Sequence, residues 1–193
     1  MVHQKTFEPK FRRRRSGQTN YAKRLALLQS GKPRLVVRKK ANSVIVHLIA
    51  FEPKGDKVLS QATSAELKQY GWNMHGGNLS AAYLTGLLCA LKARKSGFSS
   101  AIADIGSHSA VHGSAPFAAI KGAVDGSLNV QADEKVYPSA ERLAGKHVSD
   151  FAKQLDEGER NKRFSQYVKH GVDPTKFPEH VESVRQKLLK EFG

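Results

Sequence analysis

RLVVRKKANSVIVHLIAFEPKGDKVLSQA, residues 34–62, holds three strand-like runs, at 34–39, 43–51 and 57–62. Ala41-Asn42 separates the first two, and the polar turn Glu52-Pro53-Lys54-Gly55-Asp56 separates the second and third. Connections this short leave no room for a crossover, so the runs pair as an antiparallel meander. Side chains alternate along a strand. Arg34, Val36 and Arg38 therefore share one sheet face and Leu35, Val37 and Lys39 the other, while His47 sits within an otherwise apolar second strand.

Downstream, Thr63-Ser-Ala-Glu66 matches a capping box and opens a short helix that ends near Tyr70-Gly71. Asn78 caps a longer helix over 79–95, in which Leu84, Leu87, Leu88 and Leu91 form an apolar stripe. Lys92, Arg94 and Lys95 complement the dipole at its C-terminus. Residues 100–105 (SAIADI) read as a buried strand, and 114–126 as a small-residue helix closed by Gly126. A meander followed by an α-β crossover predicts an α/β domain over 19–130, with a mixed sheet packed against helices. Residues 131–193 read as a helical C-terminal extension with helices over 139–156 and 179–192, joined through Gly171-Val-Asp-Pro174.

Upstream, Thr19 reads as the N-cap of a short amphipathic helix with Tyr21, Leu25 and Leu28 on one face. Residues 1–18 lack apolar periodicity and read as a disordered basic arm that orders on binding. The net charge of +15 is concentrated here: residues 1–40 carry 13 Lys and Arg against one acid, Glu8. So strong a field of one sign needs a polyanion, with nucleic acid ahead of an anionic membrane. The single cysteine, Cys89, excludes an internal disulfide framework or zinc ribbon. No apolar run approaches the roughly 20 residues of a membrane span or forms a signal peptide, so a soluble, cytoplasmic protein is expected.

Within the arm, Lys10, Phe11 and Arg12, Arg13, Arg14 and Arg15 are followed by the flexible Ser16-Gly17. Guanidinium forks bind phosphate oxygens bidentately and stack on bases, and a flexible arm can thread between RNA helices. A nuclear localisation signal or a solvated tail would look similar, but the charge continues through Arg24, Lys32, Arg34, Arg38, Lys39 and Lys40 into the folded part. Polar and basic side chains on an open sheet face, His47 included, could dock on an RNA helix; the plainer alternative is a solvated face with a satisfied histidine. The stretch 70–78 (YGWNMHGGN) leads into a helix N-terminus that favours phosphate but lacks Walker or GxGxxG spacing, and Trp72 reads as packing before stacking. His108 and His112 lie four apart in a loop without a partner carboxylate beyond Asp104, too little for a metal site or a nucleophile. No catalytic residue, metal or cofactor is expected.

The segments FRRRRSGQTNYAKRLALLQSGKPRLVVRKKANSVIVHLI and YGWNMHGGNLSAAYLTGLLCALKA closely resemble the archaeal and eukaryotic-type form of large-subunit ribosomal protein eighteen. That family binds 5S ribosomal RNA. The resemblance implies an α/β domain whose arm and sheet hold 5S rRNA in the central protuberance, beside large-subunit rRNA and neighbouring ribosomal proteins. By matching positions it implies RNA contacts at Arg12 to Arg15, Thr19, Tyr21, Arg24, Arg34 and Arg38, with Asn78 and Tyr83 in the second segment. The other readings are a generic RNA-binding or RNA-modifying protein outside the ribosome and a DNA-binding protein.

Overall fold

The computed structural model describes residues 8–192. Strands β1 (Arg34–Lys39), β2 (Val44–Ala50) and β3 (Lys57–Thr63) form the antiparallel meander, with Val36 opposite His47 and His47 opposite Gln61. Strand β4 (Ser100–Asp104) returns parallel to β1, pairing Arg34 with Ile102 and Val36 with Asp104. Strand β5 (Asn129–Val130) adds a short parallel edge, so the five-stranded mixed sheet has the order β3-β2-β1-β4-β5. Two residues are too few to carry a periodic signal, and β5 had no counterpart in the sequence reading.

One face of the sheet makes the core. Leu35, Val37, Val44, Val46 and Leu48 are wholly excluded from solvent. Helix α3 (Leu79–Lys95) lies on the β2–β3 side of this face, capped as expected by Asn78, whose Oδ1 accepts from the Ala81 N–H at 2.7 Å. The expected apolar stripe is in fact a helix buried nearly all round, from Ser80 to Leu91. It is covered on its other sides by α4 (Ala115–Asp125) and α9 (Phe177–Phe192). The α3–α4 crossing is close because it is made at glycines: a Cβ on Gly86 would overlap the Ala119 carbonyl, and one on Gly122 the Tyr83 carbonyl. Half of the expected capping box forms: the Thr63 N–H donates to Glu66 Oε1 at 3.1 Å, but the Thr63 hydroxyl also donates to Glu66 and caps no backbone N–H among the described residues, and the turn that follows, Glu66–Tyr70, is 3-10 in form.

The C-terminal helices share this core instead of hanging from it. Phe177, Val181, Val184 and Leu188 are buried on α9, and the Phe177 ring meets Trp72 edge-on at 6.0 Å. Trp72 is 1% exposed, so packing outweighs stacking there. The helix expected over 139–156 is broken into α5 (Ala140–Ala144) and α6 (Lys146–Gln154) by Gly145, whose φ of +79° is open to glycine and whose missing side chain leaves room for Phe177. Two further helices, α7 (Glu157–Arg163) and α8 (Ser165–Lys169), occupy a stretch left unassigned from sequence.

At the other end, Arg12–Arg15 make one helical turn, α1, with every side chain exposed, and residues 1–7 of the expected arm lie outside the described residues. Helix α2 (Tyr21–Leu28) starts one residue later than expected: Asn20, not Thr19, is the cap, accepting from the Lys23 N–H at 3.1 Å. Its inner face is also different, for Leu25 is 61% exposed while Arg24 turns inward. No helix among the described residues is long and apolar enough to cross a membrane.

Candidate nucleic-acid interface

The second sheet face carries Arg34, Val36 and Arg38 on β1, Ile45, His47 and Ile49 on β2, and Asp104 at the end of β4. Helix α2 lies over the β1–β4 half of it. The junction is an ion-pair network. Arg34 is 3% exposed and donates through Nη1 to Asp104 at 2.7 Å and through Nη2 to Asp56 at 2.6 Å. Asp56 also accepts from Arg24 at 2.7 Å, which ties α2 to the β2–β3 turn. Asp104 holds Arg38 at 3.3 Å and accepts the Gly106 N–H at 2.8 Å, and Arg38 also reaches the Asp104 carbonyl at 2.9 Å. Two carboxylates thus stand among three arginines, which lets basic side chains crowd together without unfolding the surface that presents them.

Above this base the arm folds back. Arg13 Nε donates to Thr19 Oγ1 at 2.8 Å, and Phe11 packs on Tyr21 with ring centroids 5.3 Å apart. Arg13, Lys23, Arg24 and Arg38 thereby converge on a crevice of about 120 Å³ at the foot of α2. Lys10, Arg12, Arg14 and Arg15 on the arm, and Lys39 and Lys40 at and after the end of β1, are exposed. His108 caps this edge by accepting from the Lys39 N–H at 3.2 Å. The result is a continuous cationic strip from α1 across α2 to the end of β1, suited to phosphate oxygens.

Not every residue expected to touch RNA lies on that strip. Arg34 is the buried centre of the network, and both its terminal nitrogens are held by carboxylates. Asn78 caps α3, and Tyr83 is 6% exposed with its hydroxyl donating to Asp125 at 2.9 Å; burial first, and that hydrogen bond second, push it up to about 12. These three have internal work because each sits in a specific-looking motif whose specificity serves packing. Conversely, Lys23, Asp56 and Asp104 were not expected to matter. Asp104 left one signal: a carboxylate closing a buried strand needs a cation beside it.

His47 is half-buried on the open part of the face, and burial, with the Arg38 charge second, holds its pKa below the ordinary 6.5. A lowered histidine pKa means the unfolded chain takes the proton first as pH falls below 6.5, so stability declines through the window down to the folded value. Urea melts at pH 7.5 and 5.5 are expected to show a smaller loss in His47→Gln than in the wild type; equal losses would remove His47 from the acid response.

A family described as "Ribosomal large subunit proteins 60S L5, and 50S L18" matches residues 5–98, which span the arm, the meander and α3. The large ribosomal subunit protein uL18 of Korarchaeum cryptofilum is 44% identical over 189 residues, covering 97% of each chain. The chain belongs to the L5/L18 family of large-subunit ribosomal proteins. The matched residues 5–98 include all the basic residues of the strip, while the 97% coverage extends the likeness through the C-terminal helices. L5/L18 is a family of rRNA-binding proteins of translation, which accounts for a cationic face supported by the buried Asp104 and the part-buried Asp56.

Proposed function

We propose that the chain binds 5S rRNA and fastens it to large-subunit rRNA in the central protuberance of the cytoplasmic ribosome, as a structural constituent without catalysis. The observation that carries this is the convergence of Arg13, Lys23, Arg24 and Arg38 from three elements on one crevice, backed by the Arg34 network. In this reading the arm, residues 1–18, supplies phosphate contacts through Lys10 and Arg12 to Arg15. The domain 19–130 docks its strip and the open sheet face around His47 on an RNA helix, with Tyr21, Arg24, Arg38, Lys39 and Lys40 at the contact. The extension 131–193 meets neighbouring ribosomal proteins or large-subunit rRNA. Recognition is by charge and shape, with little reading of base sequence.

The test is a titration with 5S rRNA, competed by transfer RNA and duplex DNA over a range of salt. Selective binding is expected, and replacing Arg12 to Arg15 with alanine should flatten the salt slope by up to about one unit per lost phosphate contact. An unchanged slope would mean that the arm does not bind phosphate. Equal affinity for all three polyanions would favour a generic basic protein acting outside the ribosome.

A further inference from the structure

A second concavity lies beyond the cationic strip. Between the β1–β2 turn, the loop 71–78 and helices α7 and α8 there is a cleft of about 850 Å³. Its chemistry is uneven in an informative way. Phe164 and Tyr167 contribute half-buried rings, stacked in tilted fashion at 5.7 Å, and Trp72 contributes to the wall. The Trp72 indole N–H is buried and has no acceptor in the protein. Around the rings stand the exposed Lys68, His75, Arg163 and His170; Lys68 and Arg163 form no ion pair among the described residues, Arg163 lying over the Phe151 ring at 5.7 Å. No Asp or Glu lines the cleft.

Aromatic faces beside Lys68 and Arg163, with no carboxylate on the lining to hold them, are the combination that holds a single-stranded nucleotide: the ring takes the base and the cation takes the phosphate. The amides of Asn42 and Asn73, also on the lining, can meet the polar edge of a base. Position adds a second argument. Asn42 lies four residues after Arg38 of the arm crevice, at most about 14 Å along the chain, with the exposed Lys39 and Lys40 between them. A strand leaving the crevice reaches the cleft over continuous positive charge. His75 keeps the two walls in register, its ring meeting Asn42 Oδ1 at 3.3 Å while Nδ1 accepts from the Gly77 N–H at 3.2 Å.

We infer that this cleft captures an unstacked ribonucleotide of a single-stranded RNA segment, its base against Tyr167 and Phe164 and its phosphate toward Arg163, His170 and Lys68. This deepens the RNA-binding reading and rests on it. A loop or end of the bound RNA supplies the nucleotide, so the cleft adds a contact that a duplex cannot make.

The experiment uses the full chain with Lys10 and Arg12 to Arg15 replaced by alanine, which removes the phosphate contacts proposed for the arm. A labelled single-stranded RNA pentamer is titrated and followed by anisotropy, and by the emission of the chain's one tryptophan, Trp72. Saturable binding that shifts Trp72 emission is expected, with no such shift from a duplex of the same composition. Tyr167→Leu should weaken the pentamer about tenfold. Arg163→Gln, at an exposed side chain whose guanidinium also lies over the Phe151 ring at 5.7 Å, should weaken it several-fold while shifting the urea midpoint far less. Pentamer affinity unchanged in both variants overturns the inference while selective 5S rRNA binding by the wild type stands. A shift caused by a polyglutamate peptide and not by the pentamer also overturns it, in favour of an acidic protein segment. Failure of the wild type with both 5S rRNA and the pentamer removes the RNA reading and the cleft together.

Discussion

Gly86→Ala is expected to cost about 3 kcal/mol, at the upper end of overpacking penalties, because the new methyl would meet the Ala119 carbonyl and not a side chain that can turn aside. Helix α3 cannot retreat, since it also packs on β2 and β3, where Val46, Leu48 and Ala62 are wholly buried. Nor can α4, whose own Gly122 sits equally close beneath the Tyr83 carbonyl. For a chain of 193 residues, that loss lowers Tm by roughly 6 to 12 °C. Thermal melting followed by circular dichroism measures it, with Gly158→Ala as the control, because a Cβ at that glycine meets nothing within 4 Å. A Gly86→Ala protein melting within a degree of wild type would mean that the α3–α4 crossing is looser than described.

Arg34→Met is expected to cost about 3 kcal/mol as well, and for an electrostatic reason: breaking a buried pair leaves one buried and one part-buried carboxylate charged with their best-placed cation gone. Asp104, itself 6% exposed, loses a 2.7 Å hydrogen bond, and Asp56 loses one of 2.6 Å. Asp56 is then held by Arg24 alone in this network, so the seat of α2 loosens and RNA affinity falls together with stability. A double-mutant cycle separates this from lost volume. Arg34→Met combined with Asp104→Leu should cost less than the two single changes added, with a coupling of about 1 kcal/mol or more. Additive losses would show that Arg34 and Asp104 are neighbours without mutual dependence.

How much of this was readable beforehand follows the range of the interactions. Arg34–Lys39, Leu79–Lys95 and Ser100–Asp104 were legible almost to the residue, because turn chemistry, an Asn cap and alternation are written within a few positions of the element they govern. The cap of α2 was misplaced by one residue since Thr19 and Asn20 are both good caps; in the fold Thr19 Oγ1 accepts from the distant Arg13 and Asn20 Oδ1 takes the Lys23 N–H. The inner face of α2 was misjudged because an arginine inside looks wrong until Asp56, 32 residues away, is beside it. The helix broken at Gly145 was read as continuous because what occupies the space is Phe177, from a helix not yet formed in any local sense.

By itself the sequence determined the meander, the long helix, the α/β class and the concentration of charge in the first forty residues. These depend on periodicity, caps, turns and composition, which act over a few bonds. Only the tertiary structure decided which arginines are pillars and which are exposed, that Gly86 and Gly122 are points of contact, and that residues near 42, 68, 75 and 165 enclose one cleft. Those outcomes depend on groups brought together by the packing of α3, α4 and α9 over the sheet. A side chain's partner across space leaves no mark in its own neighbourhood of the chain.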